Sequence, residues 1–326
     1  MQASRRILLL SLSLLLAAAS IATGLLLGSV EIPTTEVWRL LFADDASVHN
    51  QIVDQLRLPR VLSAFAVGGL LALAGALMQV LLRNPLGDPY VLGISGGASA
   101  AVLGAMLMAL PAPWYTPVAA CGALASTLLV FGLTRHADDW RSDRLLLTGV
   151  IVAAGWSALI SFVLSISPTA RLPGMLFWLM GDLSDTDRPA LPLLLLTGGL
   201  LLALLRARDL NIAAQGMLQA AALGVDTRRL RFELYFLAAL LTAAAVAAAG
   251  AIGFIGLITP HLVRRLGATD HRLLLPTASL LGGSLLVLAD GAARTLISPM
   301  QLPVGVLTAM IGVPLFLFLL QRQVRR

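Results

Sequence analysis

Runs of about twenty apolar residues, each long enough to cross the hydrocarbon of a bilayer as a helix, follow one another along nearly the whole chain and leave few folds open to it. They cover roughly 7–28, 61–82, 91–110, 115–134, 145–166, 189–205, 233–252, 274–297 and 304–321. A shorter glycine-rich segment, about 253–267, follows the 233–252 run almost directly. Of the 326 residues, 58% are hydrophobic and 12% charged, whereas a soluble domain is about 45–50% apolar and about 25% charged. So few polar residues cannot cover a water-soluble globule. The expected class is an all-α polytopic membrane protein, with 1–326 forming a single transmembrane domain.

The basic residues set the number of crossings. All 23 are arginine. Counting 253–267 as a tenth crossing places 17 arginines with 8 acidic residues on one side and 6 with 9 on the other, so the sides carry +9 and −3. The arginine-rich side is cytoplasmic by the positive-inside rule, and both termini then lie there. Nine crossings would put Arg272, Arg322, Arg325 and Arg326 outside, against that rule. The first run, after Arg5-Arg6, resembles a secretory leader. Its apolar stretch of about 22 residues exceeds the 7–15 of a leader core, so it is read as a retained span. Ala64, Gly68, Ala72 and Gly75 fall at helical spacing in the second run, which suits close helix packing in lipid.

Several function classes drop out. Without lysine there is no Schiff-base chemistry and no phosphate-binding loop of the G-x-x-x-x-G-K-[ST] form. One cysteine, Cys121, excludes a disulfide framework and a cysteine-based metal site. His49, His136, His261 and His271 form no i, i+4 ligand pair. The apolar runs hold almost no ionisable groups, which disfavours an intramembrane enzyme or an ion-coupled carrier. Asp290 is the main exception. Arg294 stands four residues on, so the two are expected to pair on one helix face near the outer end. The net charge of +6 is a matter of topology and does not point to nucleic acid. Three classes remain: a transport subunit powered by another chain, an embedded enzyme, and a structural or assembly subunit. The first fits best.

The segment 206–231 is expected to be cytoplasmic. Its middle reads as a short helix of good helix formers stopped at Gly224. A second short turn is expected from Asp226 through Arg228, Arg229 and Arg231. Two short helices meeting near a right angle would make a rigid docking knob.

Four stretches carry a family resemblance. They are Arg83-Asn84-Pro85-Leu86-Gly87-Asp88-Pro89-Tyr90-Val91-Leu92-Gly93-Ile94-Ser95-Gly96-Gly97-Ala98, then Gly250 to Arg264, Leu286 to Arg294, and Gln301 to Gly305. From about Gln51 to the C-terminus, in order, the chain resembles the FecCD-type (BtuC-like) permeases of type II ABC importers, which carry iron–siderophores, haem and cobalamin. The resemblance implies ten transmembrane helices and a homodimer with a second permease chain around a central pathway. It implies two ATPase subunits, a periplasmic substrate-binding protein and a place in the bacterial inner membrane. Such a subunit is not an enzyme and needs no cofactor or resident metal.

The resemblance also assigns residues. Gln215, Leu218, Ala221, Leu223, Gly224, Val225, Asp226 and Arg228 would contact the ATPase. Arg57, Arg60 and Arg294 would meet glutamates of the binding protein, a match suited to the forked guanidinium. Ser142 and Asp143 would form a cytoplasmic gate, where Asp143 departs from the family's small polar residues. The stretch Leu176 to Leu183 resembles cobalamin permeases slightly more than others, so cobalamin is the favoured substrate, with ferric siderophore and haem as alternatives. His261 lies inside a family signature beside Arg264 and is read as structural rather than as a haem ligand. The glycines of Gly93 to Ala98 open a membrane span, not a nucleotide-binding helix.

Overall fold

The computed structural model describes residues 2–28, 30, 32–40, 47–134, 142–184, 186, 188–297 and 300–324. Among these, all regular structure is helical. In chain order the helices are α1 (Gln2–Leu26), α2 (Thr34–Leu40), α3 (Val48–Gln51), α4 (Leu58–Leu81), α5 (Ile94–Leu107), α6 (Tyr115–Thr134), α7 (Ser142–Ile166), α8 (Leu172–Met180), α9 (Ala190–Leu205), α10 (Ala207–Ala213), α11 (Met217–Ala222), α12 (Thr227–Ala249), α13 (Ile255–Arg265), α14 (His271–Thr295) and α15 (Val304–Val324). A π-helical turn, Ile52–Arg57, leads into α4.

Among the described residues, six helical stretches are long and apolar enough to cross a membrane: α1, α4 with the turns before it, α6, α7, α12 and α14. α9 and α10, bent by 64° at Arg206, would make a seventh if counted together. α5 and the 304–318 part of α15 are shorter apolar helices. The crossing expected at 253–267 is an 11-residue helix, α13. At 1.5 Å per residue it is about 16 Å long, half of a hydrocarbon core of about 30 Å.

α13 follows a break rather than a loop. Gly250 ends α12 with φ +67°, and residues 250–254 lie outside any helix. Backbone of this kind is tolerated at membrane depth only where protein satisfies it. The Ile252 N–H donates to the Tyr90 hydroxyl at 3.1 Å. The Asp182 N–H donates to the Ala249 carbonyl at 3.0 Å. Tyr90 belongs to the first signature stretch and Ile252 to the second, so these two stretches, far apart in sequence, meet in space.

α4 is the axis of the bundle. The apolar stretch within Val48–Leu81 is 89% buried, against 17% for that of α7. Lipid gives helices no hydrophobic reason to associate, so backbone proximity and dispersion must hold them together. The sequence of α4 meets this need with small residues. Gly68 lies against the Gly282 carbonyl of α14, and Gly75 against the Gly256 carbonyl of α13. A Cβ at either position would collide with backbone, which cannot swing aside as a flexible side chain can.

Gly75→Ala should therefore destabilise the bundle by about 1–3 kcal/mol, the usual cost of overpacking. Gly104→Ala is the control, because nothing lies within 4 Å of a Cβ built there. Thermal unfolding in detergent should show a lowered midpoint for the first and none for the second. Equal midpoints would contradict the close crossing.

Candidate functional site

Two clusters, at the opposite ends of α14, collect most of the residues singled out in the sequence. The one at the Thr295 end, expected from the arginine asymmetry to be the outer one, is built on a bundle problem. α1 ends at Leu26 with no basic residue in its last turn, and its last carbonyls have no partners within the helix. Arg57 supplies donors from the turn before α4. Its Nη1 donates to the Leu25 carbonyl at 2.9 Å and the Leu26 carbonyl at 3.3 Å, and its Nη2 donates to the Val30 carbonyl. Arg294 supplies the rest from α14, with Nη1 on the Leu27 carbonyl at 3.0 Å and Nη2 on the Gly24 carbonyl at 3.1 Å. Positive charge at a helix C-terminus also suits the helix dipole.

Asp290 balances this concentration of charge. It is 1% exposed. Its Oδ2 lies 3.0 Å from Arg294 Nε, the i, i+4 pair expected from the sequence. Its other side accepts from Arg60, Nε at 3.1 Å and Nη2 at 2.9 Å. Arg60 Nη1 reaches Gln301 Oε1 at 3.0 Å. The three expected docking arginines are thus brought together, but they are not equivalent. Arg57 and Arg294 are buried and spend their donors inside the chain. The Arg60 side chain keeps 12% exposure. Three guanidiniums with a single carboxylate, which Arg60 and Arg294 share, leave a local excess of positive charge in this cluster. The capping role of Arg57 and Arg294 was not read from the sequence; the uncapped Leu25-Leu26-Leu27 end of α1 is the signal that could have found it.

The inner cluster is the loop between α9 and α12. α11 is a two-faced helix: Met217 and Ala220 are buried, while Leu218 is 89% exposed. The chain then turns at Gly224, φ +83°. The Gly224 N–H donates to the Ala221 carbonyl at 3.0 Å and the Val225 N–H to the Ala220 carbonyl at 2.9 Å, the paired bonds of a glycine-terminated helix. The expected stop at Gly224 is therefore present. The second short helix lies elsewhere than expected. Asp226 caps the long α12 itself, its carboxylate accepting from the Arg229 N–H at 3.0 Å, so Arg228, Arg229 and Arg231 form its first turn. The partner of α11 is α10, which precedes it.

Of the residues assigned to ATPase contact, Gln215, Leu218, Ala221, Leu223, Gly224, Asp226 and Arg228 are exposed, and Val225 is half-buried against the core. Leu223 is 69% exposed. Arg206, at the bend, binds Glu233 of α12 at 2.7 Å, and Arg229 binds the same carboxylate at 2.9 Å. Pairs this exposed add little stability, but they close the base of the loop.

α7 packs on α5, α6 and the Pro89–Leu92 turn. Its outward face carries Ala154, Ser157, Ala158, Ser161 and Ser165, all exposed. Each serine hydroxyl donates to its own helix backbone: Ser157 to Ala153 at 3.0 Å, Ser161 to Ser157 at 2.9 Å and Ser165 to Phe162 at 2.8 Å. The hydroxyls keep acceptor capacity without requiring a partner. Ser142 and Asp143, the expected gate, begin α7; their side chains lie outside the described residues. His261 accepts from Arg265 Nε at 3.3 Å and packs edge-on against Phe316. Among the described residues no group of three His, Cys, Asp or Glu could hold a metal ion.

The loop between α4 and α5 holds a perturbed carboxyl. Asp88 accepts from the Tyr90 N–H at 2.8 Å, yet burial pushes its pKa up to about 6. The folded state therefore holds this proton more tightly than the unfolded chain. The stability it contributes is present below about pH 4 and is lost as pH rises through about 6. Asp88→Asn should flatten the decline of the melting temperature between about pH 5 and 7; an unaltered slope would place the titration elsewhere.

Asp290→Asn leaves two guanidiniums facing each other without their carboxylate. Breaking a buried pair from one side costs about 3–5 kcal/mol, so the melting temperature should fall steeply, and Asp290→Asn with Arg294→Gln should recover part of the loss. Failure of the pair to recover any stability would show that the bonds of Arg294 to the Leu27 and Gly24 carbonyls outweigh its pairing with Asp290.

The model of the FecCD transport family matches residues 14–322. The Fe(3+) dicitrate transport system permease protein FecD of Escherichia coli is 40% identical, over 91% of this chain and 92% of its own. The hemin transport system permease protein HmuU of Yersinia pestis is 40% identical over 91% and 90%, and the vitamin B12 import system permease protein BtuC of Vibrio vulnificus 37% over 93% and 92%. A solved inward-facing structure of a metal-chelate type ABC transporter superposes with a TM-score of 0.85 at 32% identity, covering 96% of this chain and 98% of that one. With its helices, its signature stretches and nearly its whole length accounted for in this way, the chain belongs to the FecCD transport family.

Proposed function

We propose that the chain is the membrane-spanning permease subunit of a type II ABC importer and passes a metal chelate from periplasm to cytoplasm by alternating access. The observation that carries this reading is the loop between α9 and α12. Leu218 and Leu223 stand almost free on a segment flanked by arginines, away from the apolar belt. Large apolar side chains held out in this way mark a surface that a partner covers. An ATPase subunit on each of two permease chains is that partner. The permease makes and breaks no covalent bond.

The six long helices, α9 and the short α5, α13 and α15 make ten crossings with both termini cytoplasmic, and α10 belongs to the inner loop. This count keeps the arginine asymmetry and requires α13 with its extended lead-in to serve as one crossing. Two chains form a homodimer whose pathway is lined by the small, hydroxyl-bearing face of α7, with Ser142 and Asp143 at its cytoplasmic mouth. At the outer end the excess positive charge attracts an acidic surface of the binding protein. Arg60 makes the contact, and Arg57 and Arg294 hold its setting. Relatives named for ferric dicitrate, hemin and vitamin B12 are almost equally similar, so likeness alone does not choose the chelate. Cobalamin remains the first candidate, on the Leu176 to Leu183 stretch, which forms the end of α8 and exposes Leu176 and Phe177.

The test is reconstitution into proteoliposomes with the ATPase and binding protein encoded beside it, followed by ATP-driven uptake of labelled cyanocobalamin, ferric dicitrate and hemin. Uptake of one chelate is expected; uptake of none would overturn the chelate assignment. In the same preparation, Leu218→Asp with Leu223→Asp should lose the ATPase on purification. Arg60→Gln should weaken binding-protein affinity about tenfold, the worth of one charged hydrogen bond, while the ATPase stays bound. An ATPase that remains with the leucine variant would return the chain to a structural or assembly role.

A further inference from the structure

The loop that meets the ATPase is fastened to one particular helix by one side chain. Asn211 stands on α10, whose Ala207, Leu210 and Ala213 are buried. Its Nδ2 donates to Asp270 Oδ1 at 2.8 Å. Its Oδ1 accepts from the His271 backbone N–H at 2.8 Å and lies 2.7 Å from His271 Nδ1. Asp270 is the N-cap of α14 and also accepts from the Arg272 N–H at 3.0 Å. Its second oxygen is 3.6 Å from Arg6 of α1. A single carboxamide therefore uses both of its polar atoms on the N-cap and the first residue of α14. Burial works to raise the Asp270 carboxyl, but the bonds from Asn211 and Arg272 and the guanidiniums of Arg6 and Arg272 hold it below its usual value. It is ionised at neutral pH.

α14 then runs unbroken for 25 residues, about 37 Å, past Pro276 and the Gly68–Gly282 crossing to Asp290 and Arg294. Direct contacts thus join the loop to the inner end of α14, and the outer end of α14 to the docking cluster.

We propose that Asn211 is a positioning residue that latches the ATPase-contact loop to α14, so that displacement of the loop moves α14 and reaches the arginines at the outer face. The proposal rests on the reading of the Gln215–Arg228 loop as the ATPase contact. Physical coupling over such a distance needs packed elements and hydrogen-bond networks in direct contact, and this one has few parts. Only an amide serves at 211. An aspartate there would still accept from the His271 N–H, but it could not donate to Asp270 and would set a second negative charge beside it. The reciprocal pair, Asn211→Asp with Asp270→Asn, returns a donor and an acceptor to opposite partners and keeps a good capping residue type at 270, where one oxygen, Asp270 Oδ1, now serves both Asn211 and the Arg272 N–H.

The experiment uses the full complex in proteoliposomes and measures ATP hydrolysis with and without the binding protein. Asn211→Asp should keep the ATPase bound and basal hydrolysis within about twofold, and should reduce stimulation by the binding protein at least about fivefold, the lower end of ordinary coupling factors. The reciprocal pair should restore stimulation. Full stimulation in Asn211→Asp, or a pair that fails to restore it, would overturn the latch. Loss of the ATPase from Asn211→Asp that the pair does not reverse would also overturn it, by showing a general failure of the loop. The loop reading fails by a separate sign, retention of the ATPase by the Leu218→Asp, Leu223→Asp variant.

Discussion

No water inside a bilayer is available to finish a hydrogen bond, and the end of the bundle around Asp290 is organised around that fact. The end of α1 presents carbonyls that its own helix cannot satisfy. Arg57 and Arg294 satisfy them, which brings two cations into a buried place. Asp290 then becomes necessary, and Arg60 completes its coordination from α4. Each group is there because of the one before it. The same constraint governs the break at 250–254, where backbone that left a helix is bonded to Tyr90 and lies beside the Asp182–Ala249 contact.

Much of this was legible in the sequence, for a definite reason. Spanning helices need long apolar runs, and six of the expected runs coincide with the helices long enough to cross, α1, α4, α6, α7, α12 and α14, while the others hold the shorter α5, α9, α13 and α15. The Asp290–Arg294 spacing foretold a pair because four residues make one helical turn. Gly224 foretold a helix stop because its conformation belongs to glycine. What spacing cannot show is contact between distant segments. Nothing in the order of residues brings Asn211 to Asp270, or Arg57 to the end of α1. The second short helix of the inner loop was misplaced because Asp226 is as good a cap for a long helix as for a short one. The segment 253–267, counted as a crossing by composition, holds the 11-residue helix Ile255–Arg265 with a glycine beyond each end, Gly253 and Gly267.

The bundle divides its labour between a packed interior and a sparsely packed margin. α4, α13 and α14 approach so closely that backbone touches backbone at Gly68–Gly282 and Gly75–Gly256. There a single added methyl has nowhere to go. α7 stands at the other extreme, joined to its neighbours along one side and open along the other. The interior sets the shape, and the margin is where another chain or a passing molecule can be met.

That contrast has an evolutionary consequence. Substitutions on the open face of α7 displace few neighbours, so they change the chemistry of that surface at little cost in stability. Substitutions along α4 have no such freedom. If α7 lines the pathway, selectivity can drift while the scaffold stays fixed. Relatives about equally similar to this chain, yet named for ferric dicitrate, hemin and vitamin B12, are what such a separation of frame from lining would produce.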